Sequence, residues 1–585
     1  MKYKLTESKD EKTIQEEILS RRGIQNPKAY MNTTDKDILP YSLFGDVMSE
    51  AYNVLKEVIS SGGGISILVD SDFDGMSSAS MLYSYLNKTF GISSKYYLHE
   101  NKERGVSDPK VFEMIKEDIK MNNLKLLFIP DAGSNDSKEC ETLSNLGLKI
   151  IILDHHQIEK ENKFAILINP QLIPDYENLS SSGCLVTWKF LKFIDDQEWT
   201  SNADYYLDLV GTSIIADGMD ITSLENRRLI ELGLSNIKNK FLDAVVSGDY
   251  RIKETPITIT EISFYLTPTL NGLIRVGTQD EKDLVFRALC EIDEEFDYVK
   301  RDKTVIKESI YQRAFRISGN AKSKQDRRIE KAMDAVIEDI EKFNRNNNKI
   351  LFALADESLD KSFTGLVAMK LASKYNKPCV LLRETKPDYF AGSIRNTNGS
   401  QLKDMKAFLK SLGYVAWIQG HSQSAGLGLS KLQLIKTIEL SNEKLKDFDF
   451  SKFHNVDFEF GNPNEIEQNL LQDLYSMRFY YGNGIEEVKV FVKNIEINTS
   501  QLKTFGYRES SEKTNWKQDI NDFLCVLKFN KKGDEDFILE KASSENFSWS
   551  GETIRINAIC KIGYSEFMED RKYSLIVDEY EVIDE

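Results

Sequence analysis

The feature that most constrains the fold is a series of short apolar runs, rich in β-branched residues, that alternate with helical stretches. These runs are ISILV (65–69), LKLLFI (124–129), LKIIIL (148–153) and AILI (165–168). Strands separated by helices predict a parallel sheet that is covered on both faces. We therefore expect an α/β domain over residues 61–279, preceded by an N-terminal helical segment over residues 1–60.

The rest of the chain divides by its patterning into three further segments. Residues 280–348 are charged and nearly free of Gly and Pro, which predicts long helices that connect two domains. Residues 349–454 repeat an α/β pattern, and residues 455–585 alternate apolar and polar side chains and are rich in aromatics. The last pattern predicts an all-β domain, a small barrel. With 585 residues the chain is longer than one hydrophobic core usually supports.

Charge and cysteine content exclude some classes of protein. The 76 basic and 93 acidic residues give a net charge of −17, which argues against a protein that coats nucleic acid. An enzyme with a local basic channel and an acidic metal pocket is compatible with this total. The six cysteines lie far apart and form no CxxC pair, which argues against a zinc ribbon or a disulfide framework. The cysteine spacing fits a reducing cytoplasm, and we expect no membrane association, because no apolar run is long enough to span a bilayer.

Acidic residues and histidines follow the predicted strands at the point where each strand ends. They are Asp70, Asp72 and Asp74 after the first run, Asp131 after the second, and Asp154, His155 and His156 after the third. Because ligand sites in parallel sheets lie at the carboxyl ends of the strands, these side chains should converge. DSDFDG alone is typical of a turn, but three such clusters together favour a metal site. Oxygen ligands with one or two imidazoles suit Mn²⁺ or Mg²⁺.

Four segments resemble, in order, the motifs of the DHH phosphoesterases: VDSDFDG, PDAGSND, LDHHQ and GTSIIADGMD. SRRGIQNP and TPTLNGLIRVG resemble segments of the RecJ group of this superfamily. FTGLVAMKLASKYNKPCVLL, FAGSIRNTNGS and IQGHSQSAGLGL resemble its DHH-associated domain, and FYYGNGIEEVKVFVKNIEI resembles its oligonucleotide-binding barrel. The resemblance covers nearly the whole chain. The four short motifs identify only the superfamily, and the later segments favour the RecJ group.

The resemblance implies a fold and an activity. The fold would be a parallel-sheet DHH domain and a second, DHH-associated α/β domain, joined by long helices and followed by an oligonucleotide-binding barrel. The activity would be that of a single-stranded-DNA-specific 5′→3′ exonuclease that uses two divalent ions, Mn²⁺ or Mg²⁺, and releases 5′-mononucleotides. Single-stranded DNA would be the substrate, a helicase or a single-strand-binding protein an expected partner, and a monomer the expected state.

The resemblance also implies roles for individual residues. Two metals would be held by Asp70, Asp72, Asp74, Asp131, His155 and Asp217. His156 would stabilise charge on the phosphate, and Asp154 would orient the histidine pair. Substrate-binding residues would be Ser393 and Arg395 at the 5′-terminal phosphate, Gly420 and His421 in the floor of the cleft, and Asn271 and Arg275 along the strand path. We interpret the aromatics Trp417, Tyr480 and Tyr481 as core residues and not as base-stacking platforms.

The sequence departs from the family pattern at three places, and other activities stay open. Thr269 stands where an Arg is usual, Gln419 replaces the first Gly of the GGH signature, and HENKERGVSD leaves Lys102 or Arg104 as the basic residue of its segment. These changes would alter the grip on the 5′ end and leave the metal ligands intact. The main alternative is a DHH phosphodiesterase for short oligoribonucleotides or cyclic dinucleotides, although such enzymes usually lack a barrel. A binding module without catalysis and an inorganic pyrophosphatase are further alternatives, disfavoured by the complete motifs and by the chain length.

Overall fold

The chain forms two compact units. The computed structural model describes residues 3–5, 13–100, 105–252, 256–356, 359–397, 400–450, 453–505, 515–530, 536–544, 553–565 and 572–584. The first unit comprises Met1–Pro268, Lys282–Phe315 and His454–Glu585, and the second comprises Thr269–Glu281 and Arg316–Phe453. Among the described residues, no helix combines the length and apolar character needed to cross a bilayer.

A five-stranded parallel sheet forms the core of the first unit. Its strands lie in the order Lys95–Leu98, Gly64–Val69, Leu124–Pro130, Lys149–Leu153 and Ile166–Ile168. The consecutive residues Ile150, Ile151, Ile152 and Leu153 are at most 3% exposed, so both faces of that strand are covered. The predicted parallel α/β sheet is therefore confirmed. The edge strand Lys95–Leu98 was not predicted, because KYYL carries a charged residue and two tyrosines and a single aliphatic residue.

Helices cover both faces of this sheet. Along the chain they precede its strands, separate them and follow them. They are Ile14–Arg21, Pro27–Met31, Asp46–Ser60, Phe73–Phe90, Pro109–Met121, Ser137–Asn145, Gly183–Glu198, Leu207–Ala216, Leu224–Ser235 and Lys240–Gly248. A final helical stretch runs from Ile259–Glu261 through one π-helical segment, Ile262–Leu266, into Thr267–Val276. The N-terminal segment is not exclusively helical, since the strand Tyr3–Leu5 pairs in parallel with His454–Val456.

The segment predicted as connector helices contains a β-hairpin. After the helix Gln279–Leu289, the antiparallel strands Glu295–Val299 and Val305–Ser309 precede the 33-residue helix Ile310–Lys342. The prediction of helices alone is wrong here. The hairpin strands alternate apolar residues with charged ones, a pattern that is also typical of a solvated helix face. The turn between them contains Lys303 at a φ of 68°.

The second unit contains a mixed five-stranded sheet. Its strands lie in the order Trp417–Gly420, Ser424–Ser430, Tyr389–Arg395, Cys379–Lys386 and Leu351–Ala355. Only the last two neighbours are parallel. The helix Thr364–Tyr375 packs on one face, against Leu381 among others, and Met405 and Leu409 of the helix Met405–Ser411 pack on the other. The helix Lys431–Lys444 follows the sheet.

The C-terminal part of the first unit is built on a seven-stranded sheet. The strand order is Phe458–Phe460, Val490–Asn498, Thr553–Ser565, Lys572–Asp584, Leu524–Lys528, Asn515–Asp519 and Lys503–Phe505. The prediction of an exclusively β domain is wrong, because the helices Gln468–Ser476 and Phe537–Ser544 belong to it. Among the described residues the ladder is open at Phe458–Phe460 and Lys503–Phe505, so closure into a barrel stays a prediction.

Buried polar contacts join the C-terminal sheet to the rest of the first unit. Both Nη atoms of Arg22 donate to the carboxylate of Asp457 at 2.8 Å, and the Asp457 side chain is fully buried. Arg227 donates to the carbonyl oxygen of Phe479 at 2.8 Å. Removing one partner of such a buried pair leaves an uncompensated charge. The C-terminal segment is therefore part of the folded body of the first unit.

Candidate metal centre

The run VDSDFDG forms a strand–turn–helix junction that carries three carboxylates. Asp70 follows the strand Gly64–Val69, and Asp72 caps the helix Phe73–Phe90 by accepting a hydrogen bond from the N–H of Gly75 at 3.1 Å. A Cβ atom at Gly75 would lie only 2.5 Å from the Cβ of Asp70. Glycine at position 75 thus lets the helix begin directly against Asp70, with Asp74 in its first turn.

Asp131 lies at the end of the neighbouring strand in a conformation that few non-glycine residues adopt. Its φ is 63°, its N–H donates to the carbonyl oxygen of Leu153 at 2.8 Å, and the residue is 2% exposed. Asp and Asn tolerate this left-handed region better than most side chains. Strained backbone of this kind clusters at functional sites.

The N-terminus of the helix Gly183–Glu198 is also part of the centre. The N–H groups of Gly183 and Cys184 donate to the two carboxylate oxygens of Asp74 at 2.7 and 2.9 Å. A side chain at Gly183 would collide with Asp131, since its Cβ would lie 2.5 Å from the Cβ of that residue. Sequence reasoning missed this contact. The available signal was SSSGC, a serine cap and a glycine in front of an apolar helix.

His155 lies among carboxylates from three of the four motifs. Its Nε2 atom is 3.1 Å from Oδ1 of Asp131, 3.5 Å from Oδ2 of Asp217 and 4.0 Å from Oδ2 of Asp74. Asp217 reaches this position as the residue that ends the helix Leu207–Ala216. The structure thus brings all the metal ligands expected in the first unit to one edge of the sheet.

Asp154 is engaged by hydrogen bonds within the loop. Its carboxylate accepts the N–H groups of Ser134, His155 and His156, and Oδ1 lies 2.8 Å from Nδ1 of His156. Asn169, which follows the next strand, donates to the carbonyl oxygen of His156 at 3.0 Å and to Ser134 Oγ at 3.1 Å. Asp154 is therefore placed to orient the histidine pair, and Asn169 is a supporting residue that sequence reasoning missed.

The carboxylates differ sharply in their acid strength. Burial, and then the charge of Asp72, raise the pKa of Asp74 to about 6. Burial and the charges of Asp74, Asp72, Asp217 and Asp70 raise the pKa of Asp131 well above its ordinary value. Burial acts in the same direction on Asp154, but the hydrogen bond and charge of His156 outweigh it and lower the pKa of Asp154. Asp74 and Asp131 lie among other carboxylates and share His155 as a neighbour, whereas Asp154 pairs with His156.

The donor set fits divalent cations. The ligand atoms of Asp74, His155 and Asp217 lie within 4.8 Å of one another, as do those of Asp70, Asp72 and Asp131. Oδ1 of Asp131 is buried and accepts no hydrogen bond from the described residues. Carboxylate oxygens with an imidazole are the ligands that Mn²⁺ and Mg²⁺ take in proteins.

The residues expected to bind substrate lie in the second unit. Ser393 and Arg395 point to the same face of the strand Tyr389–Arg395, and Nη1 of Arg395 donates to the carbonyl oxygen of Ile394 at 2.7 Å. A Cβ atom at Gly365 would lie 2.5 Å from Nη2 of Arg395, so the start of the helix Thr364–Tyr375 lies against the guanidinium. Burial lowers the pKa of Arg395 from its ordinary value.

The other expected substrate-binding residues are less enclosed. Gly420 has a φ of 126°, which restricts the position to glycine, and the neighbouring His421 is exposed. Asn271 and Arg275 are half-buried on the helix Thr267–Val276. Thr269 is buried in the same helix. Lys102 and Arg104 lie outside the described residues.

Comparisons with known proteins assign the family. The model of the DHH family, N-terminal domain, matches residues 64–214. The chain is 31% identical to YorK of Bacillus subtilis, named as a prophage-derived single-strand DNA-specific exonuclease, over 97% of this chain and 95% of YorK. It is 24% identical to the single-stranded-DNA-specific exonuclease RecJ of Bacillus subtilis, over 88% of this chain and 62% of RecJ. This chain belongs to the RecJ-type group of the DHH family.

A solved structure shows the same fold for this RecJ-type chain. The crystal structure of RecJ from Thermus thermophilus in complex with Mn²⁺ matches it with a TM-score of 0.69 and 16% identity, over 97% of this chain and 76% of that one. Membership in the DHH family makes the chain a metal-dependent phosphodiesterase. The expectation of a Mn²⁺ or Mg²⁺ cofactor agrees with the family and with the acidic cluster.

Replacing Asp131 by Asn should abolish hydrolysis without unfolding the protein. Asn keeps the shape of the side chain and tolerates the φ of 63°, but it removes the charge on which metal binding depends. We expect activity with Mn²⁺ to fall on the order of a thousandfold. The melting temperature of the metal-free protein should rise, since one buried like charge is gone.

Asp388→Asn is a matched control, because Asp388 is an exposed residue with a similar φ of 58°. It should leave both activity and melting temperature unchanged. Near-normal turnover in Asp131→Asn would show that Asp131 is not a metal ligand.

Stabilisation by Mn²⁺ should increase with pH. The pKa of Asp74 is about 6 in the fold, above its ordinary value, so its contribution to the stability of the metal-free protein is lost as the pH rises through about 6. A cation needs the deprotonated carboxylate and competes with that proton. Thermal unfolding should be measured with and without Mn²⁺ at about pH 5 and about pH 8. The increase in melting temperature caused by Mn²⁺ should be larger at the higher pH. Equal increases would contradict the role of Asp74.

Proposed function

We propose that this chain is a single-stranded-DNA-specific exonuclease that degrades its substrate from the 5′ end with two divalent cations. The observation that carries the proposal is the pair of ligand triads at the carboxyl edge of one sheet: Asp74, His155 and Asp217, and Asp70, Asp72 and Asp131. These two triads share no residue and would hold one cation each, whereas a third cluster, Asp131, Asp154, His155 and His156, overlaps both. The names of YorK and RecJ support single-stranded DNA as the substrate.

Each residue of the centre would have a separate task. Two bound cations would supply an activated water and stabilise the leaving oxygen. Gly183 and Cys184 hold the carboxylate of Asp74 in place through their N–H groups. His156 is held through Nδ1 by Asp154, so Nε2 is the nitrogen that would donate to a phosphate oxygen and stabilise its charge.

Ser393 and Arg395 would bind the 5′-terminal phosphate. A guanidinium and a hydroxyl on the same face of one strand suit a phosphate, because they donate several hydrogen bonds to its oxygens. Asn271, Arg275, Gly420 and His421 would line the path of the strand. Release of 5′-mononucleotides and 5′→3′ polarity follow from holding the terminal phosphate.

We further propose that the protein acts as a monomer in the cytoplasm, beside a helicase or a single-strand-binding protein. All six cysteines are buried and none is in a disulfide bond within the described residues, which suits a reducing compartment. The C-terminal sheet would bind the longer strand through stacking and backbone contacts. The presence of this C-terminal sheet favours a long-strand exonuclease over a phosphodiesterase for short oligoribonucleotides or cyclic dinucleotides.

Polarity and end recognition can be tested with labelled strands in the presence of Mn²⁺. A 5′-labelled single strand should lose its label first, and a 3′-labelled strand should shorten progressively. Arg395→Ala should raise KM for 5′-phosphorylated strands about 10- to 100-fold, the loss expected for charge-assisted hydrogen bonds, and change little on 5′-hydroxyl strands. Arg395→Lys should restore part of the loss.

Duplex DNA, RNA and short oligoribonucleotides serve as parallel substrates. Early loss of a 3′ label, or cutting of blunt duplex as fast as single strands, would contradict the proposal. Faster hydrolysis of short oligoribonucleotides than of long DNA strands would favour the alternative phosphodiesterase.

A further inference from the structure

Trp417 is an exposed aromatic residue on the sheet of the second unit. It begins the edge strand Trp417–Gly420 and is 40% exposed, so its interpretation as a core residue was wrong. In the antiparallel pairing with Ser424–Ser430, Trp417 lies opposite Gly428, and Gln419 lies opposite Gly426. The indole therefore lies on the sheet surface and not in the core.

The backbone beneath the indole is adapted to it. A Cβ atom at Gly426 would lie 3.4 Å from Cζ3 of Trp417, and a Cβ atom at Gly428 would overlap Nε1. The six-membered ring thus lies over the backbone at Gly426, and the pyrrole edge lies over the backbone at Gly428. Glycine in a strand interior weakens the strand, and it often marks a site where another group approaches the backbone closely. Here that group is the indole of Trp417. On the opposite face the same strand carries the ordinary buried residues Ala425, Leu427 and Leu429.

The residues beside the indole are those expected to bind phosphate. Ser393 lies directly opposite Gly426 on the other neighbouring strand, and Arg395 lies opposite Ser424, so both share the face that carries Trp417. Neighbouring strands are about 4.8 Å apart. The six-membered ring end of the indole is therefore about one strand spacing from Ser393. One face of the sheet presents an aromatic ring, a hydroxyl and a guanidinium in adjacent positions.

An aromatic surface next to a phosphate-binding group matches the chemistry of a nucleotide end. A nucleobase stacks on an aromatic ring whatever its sequence, and its own phosphate lies a short distance away. An apolar peptide would gain nothing from the adjacent Arg395, which favours a nucleic acid as the occupant.

We propose that Trp417 is the stacking platform for the 5′-terminal nucleobase of the strand. This inference rests on the proposed function, in which Ser393 and Arg395 bind the phosphate of that same nucleotide. Trp417 contributes affinity for the strand end and a preference for purines, whose larger rings cover more of the indole. Because it would contact the nucleobase and not the scissile phosphate, it is proposed as a substrate-binding residue that acts on KM.

The test uses the full-length protein and two 5′-phosphorylated strands that differ only in the terminal nucleotide, which carries either adenine or no base. Trp417→Ala should raise KM for the adenine end roughly 10- to 100-fold and leave kcat nearly unchanged. On the abasic end it should behave as wild type. Trp417→Phe should retain most of the affinity for the adenine end.

Trp199→Ala is the matched control, because Trp199 is 94% exposed and belongs to the first unit. It should leave KM unchanged on both strands. Equal losses on the adenine and abasic ends in Trp417→Ala would assign Trp417 a structural role and overturn the proposal, as would no loss on either.

Failure of the proposed function itself is distinguishable. If wild-type protein does not discriminate between 5′-phosphate and 5′-hydroxyl ends, the phosphate site is wrong, and the stacking proposal is overturned with it. If it discriminates and Trp417→Ala has no effect on the adenine end, only the stacking proposal is overturned.

Discussion

The central constraint in the first unit is that several carboxylates are buried close together at one edge of a parallel sheet. Two strand ends and the first turn of the helix Phe73–Phe90 bring Asp70, Asp131 and Asp74 together, and all three are at most 2% exposed. Buried like charges cost folding free energy unless an opposite charge is close. The fold offsets part of that cost at Asp74 with the N–H groups of Gly183 and Cys184. Bound cations would offset the rest, so the same arrangement destabilises the empty site and favours metal binding.

At the same sheet edge, Asp131 and Asp154 differ in their hydrogen bonds and neighbouring charges. Asp154 has its charge balanced within the protein, through three backbone N–H groups and the ring of His156. Asp131 is buried among the charges of Asp74, Asp72, Asp217 and Asp70, and its pKa is raised where that of Asp154 is lowered. Two aspartates at the ends of adjacent strands therefore differ in acid strength because their hydrogen bonds and neighbouring charges differ.

The sequence predicted those features that arise from regular geometry. Apolar β-branched runs predicted the parallel strands, and the convergence of Asp70, Asp131 and His155 followed from their positions at strand ends. Contacts made by the tertiary fold could not be predicted, because SSSGC indicates a helix start at Gly183 but not which carboxylate its N–H groups meet, and the amide of Asn169 carries no pattern of its own. The exposure of Trp417 depended on strand register and on two glycines in another strand. The hairpin at 295–309 was missed because its charged alternation is also typical of a solvated helix.

The central claim is that these carboxylates form two adjacent cation sites. Anomalous X-ray diffraction from crystals soaked in Mn²⁺ tests it most directly, since each bound Mn²⁺ gives its own peak. The account predicts one peak contacting Asp74, His155 and Asp217, and a second contacting Asp70, Asp72 and Asp131. A single peak at full occupancy, or peaks ligated by Asp154 in place of these residues, would contradict it.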